Sequence, residues 1–379
     1  MKVIEPYTAV CLQTTPPVCL NNTELREAIR YVTSMFNWCT RTGAEPSMGV
    51  KGEDHRFAPV KLIATPEFGI FTFPGPKEKA TDYILSNGLA VKIPGEETEL
   101  IAEKAKELNV FVAAMLYEYD PEWPERYFNT MFLIDPKGEI VVKHRKMYIP
   151  LFMSIDVSPH DFYNEYIERY GDSLDTFYPV GRTEIGNIGF CICTEGWFPE
   201  NFRALAMNGA EIILHPNFNE PFYSFPMNTW EILNRAAAIN NMIYVIGCAV
   251  GDAKSVRPDV PGLKHPFRPQ YFCPGDAMIV DYEGAIIARA PYPGETACWA
   301  TIRVNELRKR RTDPWNYIAM LRTEPLHKYV YSKSLYPPDL FPKHKWKEVQ
   351  EVIRRAPLDT IKRLQEEGIF EKPNEEEES

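Results

Sequence analysis

Cys193 stands where an apolar run, Ile188 to Ile192, meets acid, glycine and proline in Cys193-Thr194-Glu195-Gly196-Trp197-Phe198-Pro199-Glu200. This pattern reads as a buried strand breaking into a loop. A thiol at such an edge can meet a substrate. Helix-like spacing of Phe202, Leu205 and Ala206 between Asn201 and Asn208 puts it in a strand-to-helix elbow, near backbone dipoles that lower a thiol pKa. Glu67 follows a second apolar stretch, Val60-Lys61-Leu62-Ile63-Ala64-Thr65, closed by Pro66. It is placed where open α/β sheets gather their chemistry and could serve as acid or base. Lys146 ends a hairpin arm, between a basic cluster and Met147-Tyr148-Ile149-Pro150, where an amine could point into a pocket or snorkel outward. Each has an ordinary alternative: a buried structural cysteine, a solvated loop glutamate, a snorkelling lysine.

The elements that position these residues alternate between strand and helix. Tyr7 to Gln13 reads as a first strand, followed by a helix opened by Asn22 or Thr23 and carrying Leu25, Ile29, Val32 and Met35 on one face. After the Glu67 strand come a helix from Glu97 to Leu108 and a strand from Val110 to Tyr117. Tyr127 to Ile134 and Glu139 to Lys143 flank the turn Asp135-Pro136-Lys137-Gly138 as a hairpin. A long connection from Leu151 to Tyr178 is of the kind that shapes a site, and Asn164 to Arg169 within it reads as a short helix. Beyond the elbow, Ala210 to Leu214 is a strand ending at His215-Pro216-Asn217, Trp230 to Asn240 a helix and Met242 to Ala249 a strand. Ala277 to Tyr282 and Ala285 to Ala290 form a second hairpin. The expected architecture is α/β, two packed mixed sheets with helices outside, in a single α-β-β-α sandwich over residues 1–304. From about Asn305 the pattern loosens into a C-terminal extension, 305–379. It comprises an aromatic arm with Trp315, Tyr317, Tyr329, Tyr331 and Tyr336, a helix from Lys347 to Gln365 and an acidic, disordered tail.

Composition narrows the setting. Of 379 residues 45% are hydrophobic and 25% charged, close to globular averages, and no apolar run approaches the roughly 18 residues of a membrane span. The start, Met1-Lys2-Val3-Ile4-Glu5-Pro6, carries an acid and a proline where a signal peptide needs a basic, then apolar, segment. Eight cysteines are scattered without a CxxC; they read as free thiols in a reducing compartment, hence a cytoplasmic location. Seven histidines pair with no cysteine or second histidine at ligand spacing, so no metal site is expected. A net charge of −10 argues against a nucleic-acid backbone as partner.

Leu62-Ile63-Ala64-Thr65-Pro66-Glu67-Phe68, His144-Arg145-Lys146-Met147-Tyr148-Ile149-Pro150 and Gly189 to Glu200, in that order, resemble the Glu-Lys-Cys triad segments of the nitrilase superfamily of carbon–nitrogen hydrolases. The resemblance runs from about residue 7 to about residue 300. It implies an α-β-β-α sandwich, a cysteine nucleophile, no metal or organic cofactor, and assembly into dimers or larger homo-oligomers. A thiolate attacking an amide or nitrile carbon needs a base for its proton and an acid for the departing amine. In the family the glutamate matching Glu67 does both. The ammonium matching Lys146 stabilises the oxyanion together with the backbone N–H after the nucleophile, here that of Thr194. Many members add a second glutamate between lysine and cysteine. Ile167-Glu168-Arg169 resembles the segment that carries it, which points to Glu168, with Glu165 as the alternative.

Cys193-Thr194-Glu195-Gly196-Trp197-Phe198-Pro199-Glu200 is closest in motif to aliphatic amidases and formamidases, and Arg203 to Glu211 and Arg235 to Asn241 continue that likeness. The expected reaction is cleavage of a linear amide to carboxylic acid and ammonia through a thioester, with a small-molecule amide as the partner. Glu195, the acid nitrilases prefer at its position, keeps a nitrilase in view, and an N-carbamoyl amide hydrolase is a further alternative. A catalytically silent assembly protein is the non-enzyme alternative, and such a protein has no reason to keep the triad complete.

Overall fold

The structure is a computed structural model. It describes residues 3–44, 58–72, 80–124, 126–148, 157–218, 228–252, 273–313, 324–331, 338–339 and 358–371. Among these the strands are β1 Tyr7–Gln13, β2 Val60–Ala64, β3 Ala90–Val91, β4 Phe111–Glu118, β5 Phe128–Ile134, β6 Ile140–Arg145, β7 Val180–Thr183, β8 Gly186–Phe190, β9 Ile212–Leu214, β10 Tyr244–Gly247, β11 Met278–Val280, β12 Ile286–Arg289 and β13 Thr296–Ile302. The helices are α1 Asn22–Ala44, α2 Ala80–Ser86, α3 Glu96–Leu108, α4 Tyr163–Tyr170, α5 Leu174–Phe177, α6 Pro199–Met207, α7 Thr229–Asn241, α8 Val304–Thr312 and α9 Glu324–Tyr331.

Two sheets result. One has the order β13-β1-β2-β4-β5-β6, with β3 beside the far end of β4; the other runs β12-β11-β10-β9-β8-β7. The central pairs β1–β2, β2–β4, β8–β9 and β9–β10 are parallel, and the hairpins at the edges are antiparallel. α1 and α3 pack together outside the first sheet, and α6 and α7 outside the second, which gives the expected α-β-β-α sandwich. Every residue of β1, β4 and β5 is buried, because each strand meets the other sheet on one face and helices on the opposite one. Strands so placed read as unbroken apolar runs rather than alternating ones. Across the interface the Cys11 thiol of β1 donates to the Gly247 carbonyl of β10 at 3.4 Å, and lies 3.3 Å from the Cys248 sulfur.

Several elements differ from the sequence expectation. β13 pairs antiparallel with β1 from Tyr7↔Ile302 to Gln13↔Thr296, so the C-terminal end of the domain closes the sheet its first strand opened. The pattern does not loosen at Asn305. α8 is a helix whose Val304 and Leu307 enter the core, while Arg308 forks onto Glu211 at 2.6 and 3.0 Å. With only two buried apolar residues in nine, α8 gives almost no periodic signal. Of the expected Lys347 to Gln365 helix, 358–366 is helical, with Leu364 buried, and 347–357 lies outside the described residues. So do Trp315, Tyr317, Tyr336 and the acidic tail. No helix of the described residues is long and apolar enough to cross a membrane.

Candidate active site

Glu67 leaves the carboxyl end of β2 through a tight turn, in which Gly69 N–H donates to the Pro66 carbonyl at 3.0 Å. Phe68 takes a left-handed backbone there, φ 54°, a conformation that costs a non-glycine residue about 1–3 kcal/mol and persists only where the surroundings enforce it. The turn sends the Glu67 carboxylate inward, fully buried. Lys146 follows β6, which has just run antiparallel to β5, and its N–H donates to the Asn129 carbonyl at 2.9 Å. Its ammonium, also buried, donates to Glu67 Oε1 at 2.6 Å. The carboxylate also accepts from Asn129 Nδ2, at Oε1 and 2.8 Å, and from the Phe218 N–H, at Oε2 and 3.3 Å.

The third member comes from the other sheet. Beyond β8 the chain stays tied to the β9 extension, with Cys191 N–H on the Leu214 carbonyl at 3.0 Å and Cys193 N–H on that of Pro216 at 2.8 Å. Cys193 is itself left-handed, φ 51°, so the nucleophile candidate and the residue after Glu67 both carry backbone strain. The structure thus brings Glu67, Lys146 and Cys193 together across the interface between the carboxyl ends of the two sheets.

The elbow does not lower the thiol pKa as its sequence context implies. Burial raises it well above the ordinary cysteine value, and the Glu67 charge and hydrogen bond add to the rise, only partly offset by Lys146 and by the Thr194 backbone. The reason is geometric. Cys193–Trp197 is a 3₁₀ turn, and α6 begins only at Pro199, so the helix N-terminus is a full turn past the sulfur and desolvation dominates. Burial and the neighbouring carboxylate thus favour the thiol over the thiolate at Cys193.

Two residues that sequence reasoning did not place brace this elbow. Glu195, fully buried, accepts from Ile192 N–H and Met147 N–H, both at 2.6 Å, and lies 3.0 Å from His144 Nε2. One carboxylate so ties the cysteine turn to the residue after Lys146; in the sequence it served only as a marker of branch. His215 lies beneath the elbow, with Nε2 3.0 Å from the Cys193 carbonyl and Nδ1 2.8 Å from Asn234 Oδ1. Burial pushes its pKa down. The ring is wedged against Phe202 and Trp230, and a Cβ on Gly196 would run into its Nε2. Gly196→Ala is therefore expected to displace His215 from the Cys193 carbonyl and lower kcat by about tenfold or more with little change in KM; an unchanged kcat would show that this brace is idle.

The structure does not bring Glu168 to the other three. It lies on the exposed side of α4, a helix held through Tyr166 and Phe162 against Trp123, and no hydrogen bond or ion pair joins it to Glu67, Lys146 or Cys193. Glu165, the alternative, pairs with Arg169 at 3.0 Å on the same surface. The helix was legible; its register was not, because in an eight-residue segment with acids on two faces the periodicity does not say which face turns inward. Glu168→Gln is expected to keep kcat/KM within about threefold, measured by product release. Among the described residues no group of three His, Cys, Asp or Glu side chains converges as a metal site.

A family model described as carbon–nitrogen hydrolase matches residues 49–312, more than half of the chain, and the chain belongs to that family. That family is one of carbon–nitrogen hydrolases, and several of the chain's relatives are amidases by name. The chain is 35% identical over 156 residues to the beta-ureidopropionase of Arabidopsis thaliana, covering 41% of this chain and 35% of that one. To the omega-amidase NIT2 of Mus musculus it is 28% identical over 228 residues, 59% of this chain and 72% of that one. The chain therefore spans about a third of the length of the first relative and nearly three quarters of the second. In fold it is similar to the carbon–nitrogen hydrolase from Helicobacter pylori G27, with a TM-score of 0.61 at 18% identity, covering 87% of this chain and 99% of that one.

Proposed function

We propose that the chain is a cysteine amidohydrolase that converts a linear amide to a carboxylic acid and ammonia through a thioester on Cys193. The observation that carries this reading is the single buried cluster in which Lys146 Nζ lies 2.6 Å from a Glu67 oxygen and the same carboxylate stands against the Cys193 thiol. A raised thiol pKa calls for a base at the moment of attack, and Glu67 is the group placed to take the proton. The sulfur adds to the amide carbon, and the carbonyl oxygen becomes an oxyanion facing the Lys146 ammonium and the Thr194 N–H. Collapse expels the amine with the proton from Glu67. Water then adds to the thioester while Glu67 takes a proton from it and returns that proton to the departing sulfur. Desolvation makes the ammonium count for more than it would in water.

A carbamoyl substrate is a second reading, favoured by the match to a beta-ureidopropionase. Ammonia release from a panel of linear amides, N-carbamoyl compounds and nitriles separates the possibilities. Turnover of amides supports the first reading, of carbamoyl compounds alone the second, and turnover of nitriles alone overturns both.

A further inference from the structure

Asn129 sits in β5, a strand buried at every residue, and none of the sequence motifs includes it. It touches two members of the triad by different atoms: its main-chain carbonyl accepts the Lys146 N–H at 2.9 Å, and its side-chain Nδ2 donates to Glu67 Oε1 at 2.8 Å. Its Oδ1, also buried, has no hydrogen-bond partner among the described residues. A buried carbonyl left unsatisfied costs about 1–3 kcal/mol, so a structure that tolerates one is aiming the amide for another reason. The carboxylate can only accept, which fixes the amide with its nitrogen toward Glu67.

Glu67 Oε1 thus takes two side-chain donors, Lys146 and Asn129, while among the described residues Oε2 takes the long Phe218 N–H contact. We propose that Asn129 is a positioning residue of the reaction: with Lys146 it pins Glu67 Oε1, and so leaves Oε2 as the oxygen that takes the Cys193 proton and hands it to the leaving group. A leucine there would keep the strand but let the carboxylate rotate. Both oxygens would then compete for Lys146, and the base would point at the thiol only part of the time.

This rests on the Cys193 mechanism proposed above, and the test is chosen so that the two can fail separately. p-Nitrophenyl acetate acylates a reactive cysteine without needing the right amide: the sulfur bonds to the acetyl carbon, p-nitrophenolate leaves, and water later releases acetate. Acylation is followed by nitrophenolate absorbance in wild type, Asn129→Ala, Glu67→Gln and the double variant, with Asn129→Leu as a variant of similar size that has lost the donor. Asn129→Ala and Asn129→Leu are each expected to slow acylation about a hundredfold at pH 8, with the ester concentration for half-saturation changed less than threefold. In the Glu67→Gln background, Asn129→Ala should cost less than threefold more. A merely structural residue would give the same factor in both backgrounds, and that result, or an Asn129→Leu protein acylated at the wild-type rate, overturns the proposal. Should no amide, carbamoyl compound or nitrile be turned over, the amidohydrolase reading falls while the acylation cycle still decides the role of Asn129.

Discussion

Cys193→Ala leaves a folded protein whose turnover of any substrate accepted by wild type falls by about 10⁴-fold or more. The sulfur is the only atom in the cluster that can form the thioester, and neither Glu67 nor Lys146 can replace it. Alanine removes that sulfur and keeps the Cys193 N–H on the Pro216 carbonyl and the Cys193 carbonyl within reach of His215. The left-handed backbone at 193 strains alanine as it strains cysteine, so stability should change by no more than about 1 kcal/mol. Acid quenching during turnover should add to the intact wild-type mass the substrate minus ammonia, and add nothing to the variant. Retained turnover in Cys193→Ala, or an acyl adduct on it, would remove the nucleophile from this account.

How much of this was legible in the sequence depends on how local each signal is. Glu67 and Cys193 stand at the ends of apolar runs and Lys146 at the end of a hairpin arm, so each strand end is marked locally, but each residue alone has an ordinary alternative and only the three in order carry the resemblance. The parallel core strands were legible for the same reason, being buried on both faces. Asn129 was not, although it left a trace: Asn129-Thr130 is a polar pair in the otherwise apolar run from Phe128 to Ile134, which is either a tolerated defect or a functional exception. Only the approach of Glu67, 62 residues away in sequence, decides which. His215 is similar. It closes the β9 strand in sequence, and its use depends on the elbow of the neighbouring strand passing above it.

β13 shows the opposite failure. Thr296–Ile302 carries a strand pattern, yet its partner is β1, at the other end of the domain. Between Ala290 and Asn305 nothing local names a partner for a further strand, so no element is expected there. Glu168 shows a third. Resemblance in a three-residue segment identified the residue, but the inward face of α4 is set by packing of Tyr166 and Phe162 on Trp123 and Phe128, which short motifs do not encode.

Lys146→Met should be the most destabilising single change at the site as well as an inactivating one. The ammonium and the Glu67 carboxylate are both almost wholly out of water, and their attraction offsets two large desolvation costs. Removing one partner leaves a buried charge faced, among the described residues, by Asn129 Nδ2, a long backbone N–H and the Cys193 thiol rather than by a cation, a loss of about 3–5 kcal/mol. Turnover should fall by about 10²–10³-fold, the usual consequence of deleting one oxyanion donor. The two losses separate in the double variant Lys146→Met/Glu67→Gln. Its neutral amide can still accept from Asn129 and leaves no unpaired charge, so denaturant unfolding should recover most of the lost stability while activity stays absent. A double variant as unstable as the single one would place the cost in packing around the lysine stem. A single variant of wild-type stability would mean that the carboxylate escapes to water or to a proton, and the buried ion pair would lose its place at the centre of the chemistry.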